Sequence, residues 1–405
     1  MISSLHRLER RIKALAYLNA TLICLLLLLS ACSNARHSAN SKQDESPASG
    51  SSQALQLVPH STNKAGQRGA ALSGGGSIPG VFPRYFSFGV MNAPATASAL
   101  DEMRSENGAS FAFRYQYLTG GVNTNKGWET WQSPRGQFAT YYMQESEQHG
   151  YIPTFVYYEI CLSNGPHPSN YCGRHNIDQD TANLDNPSTM NVYYGNWVLM
   201  LQKIGSFGKP VLIIVEPDLW GFLQNATHGS DSAADVPASV NSSGFSDAAG
   251  LPDTAQGFAW ALLHMRDKYA RNAILALHAS TWASGNDIST STSADLDVAG
   301  MARGEAKFLN SAGLVGNPAG VSSFDVVSSD VADFDSAQPG GRSWWDRYNI
   351  TFPNFARYLT FIGDISRFTH RRIVMWQVPM GNQYFETMND TSGHYQDNRA
   401  EYILN

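Results

Sequence analysis

The run Val211-Leu212-Ile213-Ile214-Val215 constrains this chain more than any other stretch. Five consecutive apolar, mostly β-branched residues read as a strand buried on both faces, the pattern of a parallel sheet. The run stops at Glu216-Pro217-Asp218. Pro217 has no N–H and a fixed φ, so the regular ladder is expected to end there. Two carboxylates, two residues apart, then sit at the carboxyl end of a buried strand, where ligands bind in α/β folds. Positions i and i+2 of a strand point the same way, so Glu216 and Asp218 are expected to lean toward one pocket. The competing reading is an N-cap or a loop salt bridge, since Asp before an apolar helical run caps well. Cap duty alone would not require the second acid.

From Phe82 onward the pattern is strand, loop, helix, repeated. Strands are expected over Tyr85–Met91, Phe111–Tyr117, Ile152–Tyr158, Val211–Val215, Ala273–His278, Phe324–Ser328 and Ile373–Pro379. Helical periodicity marks Phe138–His149, Met190–Ile204, Ala255–Tyr269, Ala299–Leu309 and Asn354–Phe368. This alternation argues for βαβ units on a parallel sheet. Seven strand signals favour a TIM-like (β/α) barrel, seven-stranded or distorted, over an open doubly wound sheet, which would show the same alternation. Two loops are long and polar, Asn225 to Pro252 and Ser284 to Asp297. The first follows the central strand directly and reads as a substrate-covering loop or a disordered insertion. The segment Gln396 to Asn405 looks like the first turns of a helix with no Gly or Pro to close it, so the barrel is expected to be cut short there.

The N-terminus indicates export. Arg7, Arg10, Arg11 and Lys13 precede an apolar run that ends in Leu25 to Leu29, then Ser30-Ala31-Cys32. Basic, apolar and small-residue regions in that order make a secretory signal. The tetrad Leu29-Ser30-Ala31-Cys32 also resembles a bacterial lipobox, which implies cleavage before Cys32 and lipidation of its thiol. An uncleaved anchor or an ordinary signal peptide is the competing reading. Ser33 after the cysteine points to the outer membrane or cell surface. Residues 1–31 then form a lipoprotein signal peptide, 32–80 a flexible Ser/Gly/Ala-rich tether, and 81–405 the barrel. Of the four cysteines, Cys24 would leave with the signal and Cys32 would carry lipid. Cys161 and Cys172 remain, a pair suited to a disulfide in an oxidising compartment. A net charge of −6 gives no nucleic-acid footprint, and a monomer is expected.

The carboxyl ends of the third to seventh expected strands carry a consistent set of polar and aromatic residues. They are Tyr157-Tyr158-Glu159, then Glu216-Pro217-Asp218, then His278 with Trp282 beyond it, then Ser328-Ser329-Asp330, then Trp376-Gln377. Acids on several strand ends with aromatics between them are what glycoside hydrolysis needs. One carboxyl protonates the leaving oxygen, a second handles water or sugar, and flat rings hold pyranoses. Asp330, Asp333 and Asp335 could instead bind calcium, although the Gly turn and terminal Glu of an EF-hand loop are missing. No metal or cofactor is expected. There is no G-x-S-x-G elbow and no Rossmann or P-loop fingerprint.

The run Val215-Glu216-Pro217-Asp218-Leu219 resembles the I-E-P-D-S-L stretch of family-six glycoside hydrolases, the cellobiohydrolases and endoglucanases of cellulose breakdown. Pro153-Thr154-Phe155-Val156-Tyr157-Tyr158 is similar to the strand before their catalytic tunnel. Ser328-Ser329-Asp330-Val331-Ala332-Asp333-Phe334 is similar to their T-N-V-A-N-Y segment, and Trp376-Gln377-Val378-Pro379-Met380-Gly381 to their W-V-K-P-G-G. The resemblance implies Asp218 as the catalytic acid, with Glu216 supporting it, and Asp390 as the base of an inverting mechanism. It implies Tyr157 or Tyr158 beside the cleaved bond and Trp376 as a sugar-stacking ring. Glu159, His278, Trp282, Asp330 and Gln377 complete the expected substrate-binding set. The family's Asp-rich turn is replaced by Glu159-Ile160-Cys161, His278 stands where the family has aspartate, and Val378 replaces a substrate-touching lysine. The expected function is therefore an exported, lipid-anchored glycosidase acting on a β-glucan-like polysaccharide. A non-catalytic carbohydrate-binding lipoprotein is the alternative.

Overall fold

The computed structural model describes residues 79–163, 177–288, 291, 293–330 and 354–378. Its centre is a seven-stranded sheet in the sequence order β1-β2-β3-β4-β5-β6-β7. The strands are β1 (Gly89–Met91), β2 (Phe113–Thr119), β3 (Ile152–Tyr158), β4 (Val211–Val215), β5 (Ala273–His278), β6 (Val326–Asp330) and β7 (Ile373–Trp376). Every neighbouring pair is parallel. The crossovers carry helices α1 (Ala97–Asn107), α2 (Gln137–Gln148), α3 (Ile177–Leu184), α4 (Pro187–Phe207), α5 (Pro217–Asn225), α6 (Ala255–Tyr269), α7 (Val298–Leu309) and α8 (Asn354–Thr369).

Local chemistry sets several of these boundaries. The Asn186 side chain accepts the Thr189 N–H at the start of α4, and Pro187 occupies the first turn, where its missing N–H costs nothing. Gly208 ends the same helix at φ 72°, returning its N–H to the Ile204 carbonyl. Thr254 caps α6 and Asp297 caps α7 in the same manner. The ladder of β4 ends just before Pro217, as expected, and Pro217 is also the first residue of a helix that begins with no loop after β4.

Strand alternation divides the core into two faces. Phe155, Tyr157, Val211, Ile213, Val215, Leu275, Leu277 and Val327 pack against the helices. Val156, Leu212, Ile214, Ile274, Ala276, Val326 and Trp376 form a separate inner cluster, bordered by Phe82, Phe113, Tyr115, Tyr117 and Tyr158. That inner cluster shows that the sheet curls. On a flat sheet β2 and β7 would lie five spacings apart, about 24 Å. The rings of Tyr115 and Tyr117 on β2 instead stand 6.4 and 6.1 Å from Trp376 on β7. The sheet is a curled half-barrel with helices outside, as the alternation of elements predicts.

The stretch Asn225 to Pro252 corrects one expectation. It is neither a covering loop nor a disordered insertion, but runs through three short helical turns. It buries Ala233, Val236, Ala238, Val240 and Ala248 in the helix-side core. No helix among the described residues is long and apolar enough to cross a membrane.

The packing of α4 on α6 yields a test. A Cβ on Gly205 would come within 2.2 Å of the Tyr269 carbonyl oxygen. Gly205→Ala gains about 1 kcal/mol of helix propensity, but it must push the two helices apart at a cost of ~1–3 kcal/mol. A lower urea midpoint at unchanged slope is expected. A midpoint at or above wild type would refute this close approach.

Candidate active site

The carboxyl end of β4 holds the two acids on opposite sides of the sheet. Glu216 has φ 43° and ψ 63°, the left-handed region, which costs a non-glycine residue roughly 1–2 kcal/mol. This backbone turn breaks the strand alternation and aims the side chain away from the inner face. Glu216 is fully buried, and its Oε1 accepts the N–H groups of Glu159 at 2.9 Å and Ile160 at 3.3 Å. Burial pushes its carboxyl up to about 8, against the pull of those two N–H groups and the Tyr193 phenol; the charge of Asp218 adds to the rise. Asp218 lies on the second residue of α5, half-buried. Its Oδ2 accepts the Tyr158 hydroxyl at 2.7 Å. The expectation that the two acids lean into one pocket is thus corrected. They are neighbours in charge but separate in exposure.

A third carboxyl, which the sequence reading missed, completes this group. Asp180 on α3 is 2 % exposed, and burial, then the charges of Glu216 and Asp218, raise its pKa well above the usual carboxylate range. Only the fold reveals it, because α3 lies outside the periodic helices and about 40 residues from Asp218. An acid in the sequence Asn-Ile-Asp-Gln-Asp carries no local mark of its partner. Tyr158 sits among the same charges. Burial first, then Asp218 and Asp180, lift its phenol well above its ordinary value, so it acts as a hydrogen-bond donor to Asp218.

The other predicted residues fall into two groups. Tyr158, His278, Asp330, Trp376 and Gln377 gather around the inner face. His278 is fully buried, with Nδ1 3.0 Å from Ser328 Oγ and Nε2 3.2 Å from Asp330 Oδ1. Its ring meets Trp376 edge-on at 6.0 Å. Gln377 has φ 52° and donates its amide N–H to the Tyr117 hydroxyl. The Tyr117 phenol is pushed well above its ordinary value by burial first, then by Tyr115, Asp330 and Asp218. Tyr117 was not singled out in the sequence, although its place in an inward-facing Tyr-x-Tyr pair was readable.

Tyr157, Glu159 and Trp282 are corrections. Tyr157 is fully buried on the helix side, between Trp128, Tyr193 and Trp197. Glu159 is fully buried as well, its carboxyl raised by burial and by Glu216 and Glu129. Neither is open to a ligand on the inner face, because strand alternation turns odd-numbered β3 residues outward. Trp282 packs on Phe222 of α5 at 4.8 Å and covers Gly221, which braces that helix.

Asp390, Cys32 and Cys172 lie outside the described residues, as do Asp333 and Asp335. Cys161 is buried after β3. Among the described residues, no three His, Cys, Asp or Glu are grouped to hold a metal ion. A cavity of about 500 Å³ opens at the far end of α5, between Gln224, His228, Asp231 and Gly300. None of the predicted site residues lines it.

The buried acids set a pH dependence. Glu216, Glu159, Asp180 and Glu305 all have carboxyls raised chiefly by burial. Such a group binds more protons folded than unfolded. Its stabilisation is complete below the unfolded value of 4.5 and is lost as pH climbs toward the folded one, about 8 for Glu216. The thermal midpoint should therefore fall from about pH 5 to about pH 8. Glu216→Gln keeps an acceptor for the Glu159 N–H and should flatten that fall. A midpoint that rises over this window would contradict the burial of these acids.

No family model and no curated protein matches this chain. Several solved structures are loosely similar. The GH26 domain of an endo-β-mannanase/endo-β-glucanase from Prevotella bryantii shares 12% identity over 73% of this chain and 76% of its own, with a TM-score of 0.37. A β-mannanase from a symbiotic protist of the termite Reticulitermes speratus, complexed with gluco-manno-oligosaccharide, shares 10% over 79% and 86%, with a TM-score of 0.38. A fungal β-1,4-galactanase shares 11% over 75% and 90%, with a TM-score of 0.32. Likenesses this loose assign no activity to this chain.

Proposed function

We propose that this protein is an exported, lipid-anchored glycoside hydrolase that cleaves a β-glucan-like polysaccharide, with Asp218 as the general acid. The observation that carries the reading is the Tyr158–Asp218 hydrogen bond of 2.7 Å. It fixes a half-buried carboxyl at the carboxyl end of a parallel strand, beside an inner face bearing aromatics and a second carboxyl. General acid catalysis needs a carboxyl oriented by a partner and placed where its proton can reach the leaving oxygen. Tyr158 occupies Oδ2 and orients the group. Asp180 and Glu216, the two carboxyls beside Asp218, are both raised by burial and by the charge of Asp218.

The family-six resemblance supports the same assignment, since its acid falls on Asp218 by motif order. Where that family has an Asp-rich turn, this chain has Glu159-Ile160-Cys161, and Asp180 on α3 is a further buried carboxyl that feels the charge of Asp218. The anchor rests on the lipobox-like Leu29-Ser30-Ala31-Cys32, and the disulfide on the Cys161 and Cys172 pair. Metabolic labelling with a palmitate analogue, lost on Cys32→Ala, checks the anchor.

The central test is reducing-sugar release from β-glucans, xylan, chitin and α-glucans. The unsubstituted chain is expected to act on at least one of these. Asp218→Asn should lower turnover roughly 100-fold or more while the fold is retained. Tyr158→Phe should lower it less and leave KM little changed. Full turnover by Asp218→Asn would remove the assignment.

A further inference from the structure

We infer that the second catalytic carboxylate is Asp330, acting as the general base that activates water, with His278 as its positioning residue. The inference rests on the glycosidase reading above and names the group that reading leaves outside the described residues. Asp330 ends β6 and is half-buried. It belongs to the same inward set as Ser328 and Val326, since side chains two apart share a face. Its Oδ1 stands 3.2 Å from His278 Nε2, and His278 Nδ1 stands 3.0 Å from Ser328 Oγ. The relay from hydroxyl through imidazole to carboxylate fixes one oxygen of Asp330. The other is left to take a proton from water.

The sheet order gives the spacing. Asp218 follows β4 directly, Asp330 ends β6, and β5 lies between them. Two strand spacings amount to about 10 Å on a flat sheet and less across the mouth of a curled one. Inverting glycosidases hold their carboxyls ~6.5–9.5 Å apart to admit a water, whereas retaining ones hold them at ~5–5.5 Å. Tyr117, on the inner face beside Trp376 at 6.1 Å, feels the charges of both Asp330 and Asp218. Gln377, just past β7, donates to the Tyr117 oxygen.

The step balances without a co-reactant. Asp218 gives its proton to the glycosidic oxygen as the bond from that oxygen to the anomeric carbon breaks. Water attacks the same carbon from the opposite face and loses a proton to Asp330. The products are a hemiacetal of inverted configuration and a free hydroxyl on the leaving sugar. Solvent then returns a proton to Asp218 and removes one from Asp330.

The experiment uses the full chain with the glycan found active in the reducing-sugar panel. Proton NMR of the first product should show inversion at the anomeric carbon; retention overturns the inference. Asp330→Asn should lower kcat roughly 100-fold or more with KM nearly unchanged. Azide should restore turnover in that variant and yield an inverted glycosyl azide. His278→Gln should lower kcat less and shift the acidic arm of the pH profile, which reports the base. Azide rescue confined to Asp390→Asn, or wild-type turnover by Asp330→Asn, overturns the inference. Where Asp330→Asn fails to fold, the anomeric outcome of the unsubstituted protein decides. If the unsubstituted chain releases no sugar from any glycan, the glycosidase reading fails and Asp330 falls with it. Activity with retention sinks the assignment of Asp330 alone.

Discussion

The carboxyl end of β4 depends on one buried contact, the carboxyl of Glu216 beneath the N–H groups of Glu159 and Ile160. Placing a carboxylate there as an ion would cost several kcal/mol. The group therefore stays protonated through neutral pH, in keeping with a value of about 8. The same residue carries a left-handed backbone, a strain of roughly 1–2 kcal/mol that persists only where the surroundings over-determine it. Contact and strain together set the end of β3, the end of β4 and the start of α5. Asp218 has its position because Glu216 turns away from it.

That turn also shows what the sequence could and could not reveal. Strands β3, β4 and β5 were legible to the residue, because Ile152–Tyr158, Val211–Val215 and Ala273–His278 are apolar runs bounded by polar or turn residues. Helix α6 was legible because Thr254 caps it and its apolar period is clean. The parallel order followed from alternation alone. Helix α5 was given no range because Pro217 satisfies two rules, ending a ladder and opening a helix, and in the fold it does both. The abrupt passage from one to the other rests on φ at Glu216, which no residue type announces. Counting i and i+2 across that junction placed Glu216 on the wrong face.

The site was legible in its members more than in its arrangement. Asp218, Tyr158, His278, Asp330 and Trp376 were recognisable as chemistry at strand ends. The partnerships among them come from curvature. Tyr117 reaches Gln377 and Trp376 across five strand spacings, a contact that exists only because the sheet rolls up. Asp180 enters from a helix whose short apolar pattern gives no phase. The motif resemblance leaves Tyr157 and Tyr158 as alternatives and offers Glu159 as a strand-end acid, yet period-two alternation sends Tyr157 and Glu159 to the helix side.

Alternation also explains how a small sheet builds core and site from the same strands. Along the inner face, β4, β5 and β6 begin with Leu212, Ile274 and Val326, which pack with Phe82 and Phe113 in one apolar cluster. Two to four residues further along the same face stand His278, Ser328 and Asp330. The apolar layer excludes water from below, which strengthens every charge interaction in the layer above it. A polar residue one position earlier or later on these strands would lie in the helix layer, among side chains such as Leu277 and Val327. There it would need a partner of its own, as Glu216 does. The inner face therefore concentrates its acids and aromatics at one end, because the remaining inward positions are already needed for the core.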